Sequence, residues 1–303
     1  MKNSAIDFYG KSLKVFKSNL HTHSTVSDGK YSPQEIISIY ADQGYDVLAL
    51  TDHGKFNPVE SYDPCGMTLM HGIELHPHGP CGRRWHLLAL GVREGDMSGA
   101  VEEVPAQDVI DSVVNAGGMV FAAHPYWCGF QHEHVASLKN ISGIEVWNTS
   151  CRYIGKQYNM QIWDDLLMSD LHYTALAVDD SHRDVDLFFG WTMICAEDNF
   201  EESLLKALKA GSFYATQGPE FKKLSWKDGV LEAEFTPCAD VTILSNASYG
   251  WSIRREEETG DLATSFKLEI PRVLENPAAY KYLRIQLRDE KGRYAWSMPV
   301  FLQ

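Results

Sequence analysis

Short apolar segments alternate with helix-length amphipathic segments between about residue 15 and residue 215. Such alternation is typical of βα units arranged around a parallel sheet or barrel. The segments that we interpret as strands are 15–23, 46–53, 68–74, 85–91, 119–124, 144–148 and 173–180, followed by a shorter one at 191–196. Helices are expected near 105–116, 153–169 and 200–210. The sequence therefore predicts an α/β fold with seven main strands.

One further helix has clear signals at both ends. Ser32 is a good N-cap, Pro33 is favoured in a first helical turn, and Glu35 completes a capping box. Gly44 supplies a stop signal, because glycine readily adopts the left-handed backbone that follows a helix. We therefore expect a helix that begins at Pro33 and ends just before Gly44.

The pattern changes after Gly218 and Pro219 to short β-type runs that are separated by polar turns. These runs are 241–244, 265–270, 282–287 and 294–301. A chain of 303 residues exceeds the size, about 250–300 residues, at which a single core tends to divide. We predict two domains, residues 1–217 and 218–303, of which the second is a small all-β domain. The charged run 254–258 is interpreted as a solvated loop.

Charge and composition argue against several kinds of partner. The formal net charge is −14 and no basic run is present, whereas binding to a nucleic-acid duplex or an anionic membrane depends on clustered Lys and Arg. The six cysteines contain no CxxC pair, so we expect reduced, mostly structural thiols. The N-terminus lacks the apolar core of a signal peptide, and no segment has the length of a membrane span. These features predict a cytoplasmic protein.

Residues with metal-binding side chains recur where the predicted strands end. His21 and His23 lie two apart, so both imidazoles can project from one strand face onto one metal, and Asp28 follows within loop reach. Such a pair is weak evidence alone, because a histidine near a strand end is more often structural than a ligand. A barrel gathers the C-terminal strand ends at one face, so we expect all of these residues to converge. The later strands contribute Asp52, His53, Glu74, His124, Asp180 and His182 at their ends, and His86 near the start of the fourth.

This set of motifs, from about Leu20 to His182, resembles the PHP family, which is named for polymerase and histidinol phosphatase. The family's usual last motif is Gly-Ser-Asp-Ala-His, and here Val178 and Asp179 hold its first two places while the Asp and the His are kept. The resemblance implies a distorted (β/α)7 barrel of PHP type. The motifs that carry it are His21-x-His23 with Ser27-Asp28-Gly29, Thr51-Asp52-His53, Gly72-Ile73-Glu74, His86, His124-Pro125 and Asp180-x-His182.

The resemblance also implies which residues bind metal. Two to three divalent ions are expected, of zinc, manganese or iron, because the donors are nitrogen and oxygen and are too many for one four-coordinate site. Asp52 is expected to orient a neighbouring residue. With His53, His182 and Arg183, it completes the expected catalytic set. The implied ligands of a trinuclear site are His21, His23, Glu74 and Asp180 for the first ion, Glu74, His86 and His124 for the second, and Asp28, His53 and His182 for the third.

The remaining candidate substrate contacts and histidines are at least as readily explained by structural or surface roles. Arg183, and Arg83 or Arg84, could bind phosphate with two hydrogen bonds, but each is as readily a surface residue. The aromatic residues Tyr126, Trp127 and Trp147, the last followed by Asn148, could contact a planar substrate group, but core packing is their commoner fate. The histidines that we interpret as structural are His71, His76, His78, His132, His134 and His172, although His76 and His78 lie close enough to Glu74 to line the pocket.

Three functions remain open. The leading hypothesis is a phosphoesterase that cleaves a small phosphorylated metabolite or nucleotide by attack of metal-bound hydroxide, since the ions would make the site locally cationic. The alternative is a carboxylic ester or carbamate hydrolase, because residues 213–219 and 295–301 are similar to the carbaryl-hydrolase group of PHP proteins. The third is a non-catalytic metal-binding PHP module, against which the complete ligand set argues. A homo-oligomer is compatible with all three.

Overall fold

The computed structural model describes residues 5–96, 104–254, 260–270 and 280–302. The helices are α1 (Pro33–Asp42), α2 (Ala106–Asn115), α3 (Pro125–Cys128), α4 (His132–Ala136), α5 (Met160–Met168) and α6 (Glu201–Lys209). The first strands are β1 (Ala5–Phe8), β2 (Lys11–Asn19), β3 (Val47–Leu50), β4 (Thr68–Leu75), β5 (Leu87–Leu90), β6 (Met119–Ala122), β7 (Gly143–Asn148), β8 (Thr174–Val178), β9 (Trp191–Ala196) and β10 (Phe213–Thr216). The later strands are β11 (Phe221–Lys227), β12 (Val230–Cys238), β13 (Asp240–Leu244), β14 (Gly250–Arg254), β15 (Ala263–Glu269), β16 (Tyr282–Arg288), β17 (Tyr294–Ser297) and β18 (Val300–Phe301).

The chain has a mixed α/β fold, as predicted, but it is built on one large sheet with few helices. Strands β2, β3 and β4 are parallel neighbours, and so are β6, β7 and β8. A parallel bridge between Thr22 and Ser181 joins the chain beyond β2 to the chain beyond β8. The C-terminal ends of these strands therefore meet. Only short 3-10 turns separate β3 from β4 and β4 from β5, so the helical layer is thinner than regular βα alternation gives.

Strand β5 explains the unusual position of His86. It runs antiparallel to both of its neighbours, β4 and β6, with Leu87 paired to Leu75. The start of β5 therefore lies beside the C-terminal ends of the parallel strands. A residue just before β5 reaches the same face as Glu74, although it precedes its strand.

The N-terminal strand packs with the C-terminal part of the chain. Strand β1 pairs in parallel with β11, and β10 pairs on its two edges with β9 and β17. One hydrophobic cluster contains Ile6 and Phe8 together with Phe235 and Ile285. Strands on both sides of the predicted 217/218 boundary thus belong to one sheet, and the division into two domains stays a prediction.

The C-terminal strands are also fixed to a helix of the α/β part. Arg284 of β16 is 1% exposed and forms a double ion pair with Asp164 of α5, through Nε at 2.8 Å and Nη2 at 2.7 Å. Its guanidinium lies over the ring of Trp163. Removing one partner of a buried pair leaves the other charge uncompensated. The contact therefore ties the β-rich part to the α/β part.

Several predicted boundaries need correction. The helix expected at 153–169 begins only at Met160, because the chain first makes a 3-10 turn that ends at Gly155 in a left-handed conformation. The strand expected at 294–301 is interrupted before Val300, where Pro299 has no N–H to donate to a ladder. The capping box of Ser32 and Glu35 is confirmed, and α1 begins at Pro33 as predicted. All but the first residue of the charged run 254–258 lies outside the described residues.

Two other expectations can be compared with the structure. No cysteine is in a disulfide, and Cys151, Cys195 and Cys238 are buried, as expected for structural thiols. Within the described ranges, the helices are too short or too polar to cross a membrane.

Candidate metal centre

Four side chains from three separate strand ends meet at one point. Nε2 of His21 lies 3.1 Å from Nε2 of His23, 3.4 Å from Oε2 of Glu74 and 3.3 Å from Oδ1 of Asp180. Nε2 of His23 lies 3.4 Å from Oε2 of Glu74 and 3.0 Å from Oδ1 of Asp180. Two nitrogen or oxygen ligands on a tetrahedral zinc ion lie about 3.4 Å apart, given bonds of about 2.1 Å. The four atoms therefore have the spacing of a ligand shell.

The same place holds polar atoms that have no partner in the protein. Among the described residues, eight buried side-chain nitrogen or oxygen atoms lack a hydrogen bond, and four of them belong to His53, Glu74, His76 and Asp180. Burying such atoms unpaired is costly, and charged groups are buried only when paired or bound to metal. Nitrogen and carboxylate donors suit zinc, manganese and iron. The residues thus fit a bound divalent metal.

Glu145 fixes the orientation of the first histidine. Its Oε1 lies 2.6 Å from Nδ1 of His21, which leaves Nε2 of that ring directed at Glu74 and Asp180. Its Oε2 accepts from the backbone N–H of His124 at 2.9 Å. A carboxylate behind a ligating imidazole sets the tautomer and raises its basicity. Glu145 was not predicted from the sequence, because it lies inside β7 and not at its end.

Burial and opposite charges act against each other in this cluster. Burial alone would lower the pKa of His21, but the carboxylates of Asp180, Glu145 and Glu74 raise that pKa well above its usual value. Burial lowers the pKa of His23 to about 4, since it outweighs the attraction of Asp180 and Glu74. Two imidazoles in contact cannot both hold a proton easily, and the two pKa shifts favour His21 as the ring that holds it. A divalent ion would replace that proton.

A second group of donors surrounds the other oxygen of Glu74. Oε1 lies 2.7 Å from Nδ1 of His86 and 3.5 Å from Nε2 of His124. Cys128 lies one helical turn beyond His124, and its Sγ is 3.5 Å from Nδ1 of that histidine. The structure thus brings His86 and His124 to Glu74 and adds a thiol to the group. The i, i+4 spacing of His124 and Cys128 was the sequence signal that could have indicated it.

A third group lies at the open side of the cluster. Oδ1 of Asp28 is 3.5 Å from Nε2 of His53 and 3.4 Å from Nε2 of His182. Nδ1 of His182 lies 2.9 Å from the carbonyl oxygen of Asp180, so Nδ1 carries the proton and Nε2 presents its lone pair. Asp28 is 57% exposed, so this group faces solvent.

Asp52 supports the loop that carries Asp28. Its Oδ1 accepts from the N–H groups of Ser24 and Ser27 and from the hydroxyl of Ser27, and its Oδ2 accepts from the hydroxyl of Ser24 and from Asn57. These hydrogen bonds outweigh burial and lower the pKa of Asp52. With its oxygens occupied in this way, Asp52 is suited to hold the loop and not to accept a substrate proton. Its expected place in the catalytic set is therefore best described as positioning.

Backbone geometry shows local strain at two proposed ligands. His124 has a φ of 29° and Asp180 a φ of 50°, which lie in the left-handed region that non-glycine residues avoid. Both are held there by hydrogen bonds, from His124 N to Glu145 Oε2 and from Asp180 N to His21 O. Strain of this kind persists where surrounding structure enforces it, often at functional sites.

The cluster opens into a cleft of about 380 Å³. Arg183 lines the cleft, and its guanidinium lies 5.6 Å from the ring of Tyr153 and 3.4 Å from Asp186. Trp127 lines it as well, with its ring against those of His86 and His124. The structure thus brings Arg183 and Trp127 to the site.

The other candidate substrate contacts do not line this cleft. Arg83 donates to the carbonyl oxygen of Gly129, Arg84 donates to that of His76, and the half-exposed Tyr126 lies in a neighbouring groove. Trp147 is buried in the core. Its neighbour Asn148 donates to Glu145 and to Asp180, and so helps to orient a proposed ligand.

The histidines interpreted as structural divide into two kinds. His71 lies between Glu201 and Glu60, and each ring nitrogen is about 2.9 Å from a carboxylate oxygen. His78 is exposed, and the ring of His172 stacks on Phe301. His132 contacts Glu133 and Asp165, and Nδ1 of His134 accepts from the N–H of Gln131. His76 is different, because its ring lies within the cluster around Glu74.

Comparison with solved structures agrees with the motifs, whereas no family model matches the chain. A two-domain protein from Bacteroides vulgatus that contains a predicted PHP-like metal-dependent phosphoesterase superposes with a TM-score of 0.52. The two sequences are 16% identical, and the superposition covers 99% of this chain and 98% of that chain. At this identity the likeness establishes the fold alone. The mixed α/β fold is thus shared with a PHP-like protein, whereas the (β/α)7 barrel stays a prediction.

Two curated proteins are similar over a shorter stretch. The phosphoribosyl 1,2-cyclic phosphate 1,2-diphosphodiesterase of Eggerthella lenta is 35% identical over 82 residues, which are 25% of this chain and 31% of that protein. The 5'-3' exoribonuclease of Haemophilus influenzae is 36% identical over 78 residues, which are 24% of this chain and 28% of that protein. The chain thus spans less than a third of the length of these relatives. The proteins that it resembles are named as hydrolases of ester bonds.

Proposed function

We propose that this chain, which shares the fold of PHP-like proteins, is a metal-dependent phosphoesterase. The observation that carries the proposal is the cluster around Glu74, where donor atoms from three strand ends lie at ligand spacing and four buried polar atoms lack partners. The seven strands from β2 to β8, joined through the bridge of Thr22 to Ser181, would form the distorted barrel that presents these donors.

We propose two to three divalent ions, held by the three groups described above. Glu74 offers its two oxygens to different groups and would bridge two of the ions. Such ions lower the pKa of a bound water and stabilise charge on the ester oxygens. Three ions would contribute about +6 against about −3 from Asp28, Glu74 and Asp180, so the site would attract an anion despite the acidic chain.

The cleft favours a small phosphorylated substrate. Its volume of about 380 Å³ is near the lower end of small-molecule sites. Arg183 is half-exposed at its wall and can bind phosphate by two hydrogen bonds once it leaves Asp186. Trp127 offers an aromatic face beside His86 and His124. A nucleotide or sugar phosphate would use all three features, and the names of both curated relatives indicate phosphodiester substrates.

The nearby hydroxyls are poor candidates for a covalent step. The hydroxyls of Ser24 and Ser27 are hydrogen-bonded to Asp52, and that of Ser181 lies 3.3 Å from the hydroxyl of Tyr40. Ser27 Oγ also lies 3.5 Å from Nδ1 of His23, but its shorter hydrogen bond, of 2.6 Å, is to Asp52, so its proton is already engaged. We therefore propose direct attack by water on the ester.

The test is a substrate screen with metal-reconstituted protein. Phosphomonoesters, linear and cyclic phosphodiesters and carboxylic esters are offered to wild type and to Asp180→Asn, with His78→Gln as the matched control outside the cluster. Phosphoester hydrolysis that is lost in the first variant and kept in the second supports the proposal. Cleavage of carboxylic esters alone contradicts it, as does hydrolysis that survives Asp180→Asn.

The course of the reaction is tested with labelled reagents. Single-turnover hydrolysis in ¹⁸O water is expected to place solvent oxygen in the released phosphate, and a chiral phosphate is expected to invert. Net retention of configuration, or a phosphorylated residue found by mass spectrometry, would contradict direct attack by water.

A further inference from the structure

His76 lies where the sheet directs it into the Glu74 cluster. It follows the last residue of β4 and is two residues beyond Glu74, so both side chains project from the same face of the strand. The antiparallel register of β4 and β5 places it opposite His86, and the two ring centroids are 4.4 Å apart. Its ring centroid is also 4.7 Å from that of His53. His76 therefore lies between two residues that belong to different ligand groups.

Three atoms at this point lack hydrogen bonds. They are Nε2 of His76, Oε2 of Glu74 and Nδ1 of His53, all buried, and the three residues each offer a ligand atom within 4.8 Å of the others. Nε2 of His76 is 3.7 Å from Oε2 of Glu74, close to the separation of about 3.4 Å between two ligands of one tetrahedral ion. Nδ1 of His53 is 2.7 Å from the same oxygen but is misaligned for a hydrogen bond. A cation among these atoms would satisfy all three.

We propose that His76 is a metal ligand, and that with Glu74 and His53 it holds an ion against Oε2 of Glu74. The inference rests on the proposed metal centre but not on the proposed ester substrate. The backbone of His76 is fixed for this role, because Arg84 donates to its carbonyl oxygen at 2.9 Å. The side chain is 15% exposed, so its position is set by packing against neighbouring rings.

The assignment changes the role of His53. A neutral imidazole has one nitrogen lone pair, so His53 can serve one ion through Nδ1 or another through Nε2. Its Nε2 faces Asp28 at 3.5 Å, whereas its Nδ1 faces Glu74. Binding through Nδ1 beside His76 leaves Asp28 and His182 to form the outer group, with Oδ1 of Asp28 at 3.4 Å from Nε2 of His182. An ion held by His76 would therefore determine that His53 binds metal through Nδ1 and not through Nε2.

Wild-type protein gives the most direct test. Crystals of the full chain are soaked in zinc chloride, and anomalous scattering at the zinc edge locates each ion. The expected result is a peak within about 2.3 Å of Nε2 of His76, given zinc–nitrogen bonds of about 2.0–2.1 Å. Zinc at His21, His23 and Asp180 with none beside His76 would overturn this inference alone. Zinc at neither place would overturn the metal centre as well.

A pair of matched variants tests the same point in solution. His76→Gln removes the donor, and His78→Gln makes the same change two residues along, where the side chain is exposed. Each protein is titrated with Co²⁺, and the visible absorption and a competing chelator report affinity. We expect His76→Gln to weaken one class of site by at least about 10-fold, the low end for losing a partner of a metal site, and to change the spectrum. Equal affinities and spectra in both variants would overturn the inference, and circular dichroism checks that both are folded.

Discussion

Two histidine and carboxylate clusters begin on the same strand, β4, and differ in how their polar atoms are satisfied. At His71, both ring nitrogens face carboxylates, of Glu201 and Glu60, at about 2.9 Å. At Glu74, three residues further on, four histidine nitrogens lie 2.7–3.7 Å from the buried Oε2, and none is aligned for a hydrogen bond. The residue types are the same. Hydrogen bonds satisfy the ring nitrogens of the first cluster, whereas polar atoms of the second cluster are left without them.

The difference separates a structural histidine from a candidate ligand. Hydrogen bonds to Glu201 outweigh burial and raise the pKa of His71, and carboxylate oxygens at both ring nitrogens favour the protonated ring. It links β4 to the start of α6 and to the turn that contains Glu60. The Glu74 cluster has more nitrogen and oxygen lone pairs than its hydrogen atoms can satisfy. Divalent cations would bind the remaining lone pairs. The predictions below compare the two clusters.

The largest effect is expected for Glu74→Gln. The amide keeps the shape but loses the charge that is shared between two ligand groups, so two ions should be lost together. We expect phosphoester hydrolysis to fall by more than about 100-fold, beyond the range for losing an outer partner of a metal site. The control is Glu201→Gln in the His71 cluster, which should keep its metal content. Metal content is measured by inductively coupled plasma mass spectrometry. Equal content in both variants would contradict the distinction between a metal-binding Glu74 cluster and a structural His71 cluster.

Glu145→Gln should have a smaller effect on metal affinity. It leaves every proposed ligand in place but weakens the hydrogen bond that orients His21 and the one that holds the N–H of His124. We expect about 10–100-fold weaker zinc binding, with no change in the number of ions at saturation. A chelator competition assay measures the affinity. Unchanged affinity would show that the contact is structural only.

Metal binding should also weaken as the pH falls. Asp180, Glu145 and Glu74 raise the pKa of His21 above its usual value in the metal-free protein, and a ligand must lose its proton to bind metal. Affinity should therefore rise with pH through the neutral range, by about 10-fold per pH unit for each proton displaced, until His21 is deprotonated. Isothermal titration with zinc from pH 6 to pH 9 measures this slope. Zinc affinity that does not change with pH would contradict the competition between metal and the proton on His21.

The smallest effect is expected at His71, with the opposite dependence on pH. Its pKa is raised on folding, so its contribution is fully present below the unfolded pKa of about 6.5 and is lost as the pH rises through the folded value. His71→Gln should lower the free energy of unfolding by about 1–2 kcal/mol at pH 5.5. The loss should be smaller at pH 9. Urea denaturation of the chelator-treated protein measures it, and a loss that grows with pH would contradict the assignment.

The sequence indicated which residues converge at the strand ends, but it did not indicate every residue that borders the site. His21, His23 and Glu74 could be placed together because parallel strands end at one face, and they lie in contact in the structure. The sequence alone could not show which of His76 and His78 faces the cluster, since both follow β4 in a run rich in Pro and Gly. Only the register with β5 shows that His76 meets His86 while His78 is exposed.

Long-range pairing was the other feature that local patterns could not indicate. Strand β1 is only four residues long and pairs in parallel with β11, more than 200 residues away. Glu145 lies inside an apolar strand, and the local sequence does not indicate its contact with His21. Such residues depend on contacts between distant segments, whereas capping at Ser32 depends on its near neighbours and was predicted correctly.

The central claim is that the Glu74 cluster holds divalent metal and the His71 cluster does not. Elemental analysis of the full chain, purified with zinc or manganese and freed of loosely bound ions, tests it most directly. Two to three equivalents per chain are predicted for wild type and for Glu201→Gln, with a loss of about two in Glu74→Gln, since more donors converge there than one four-coordinate ion can use. One equivalent or fewer in wild type, or equal content in Glu74→Gln, would contradict the account.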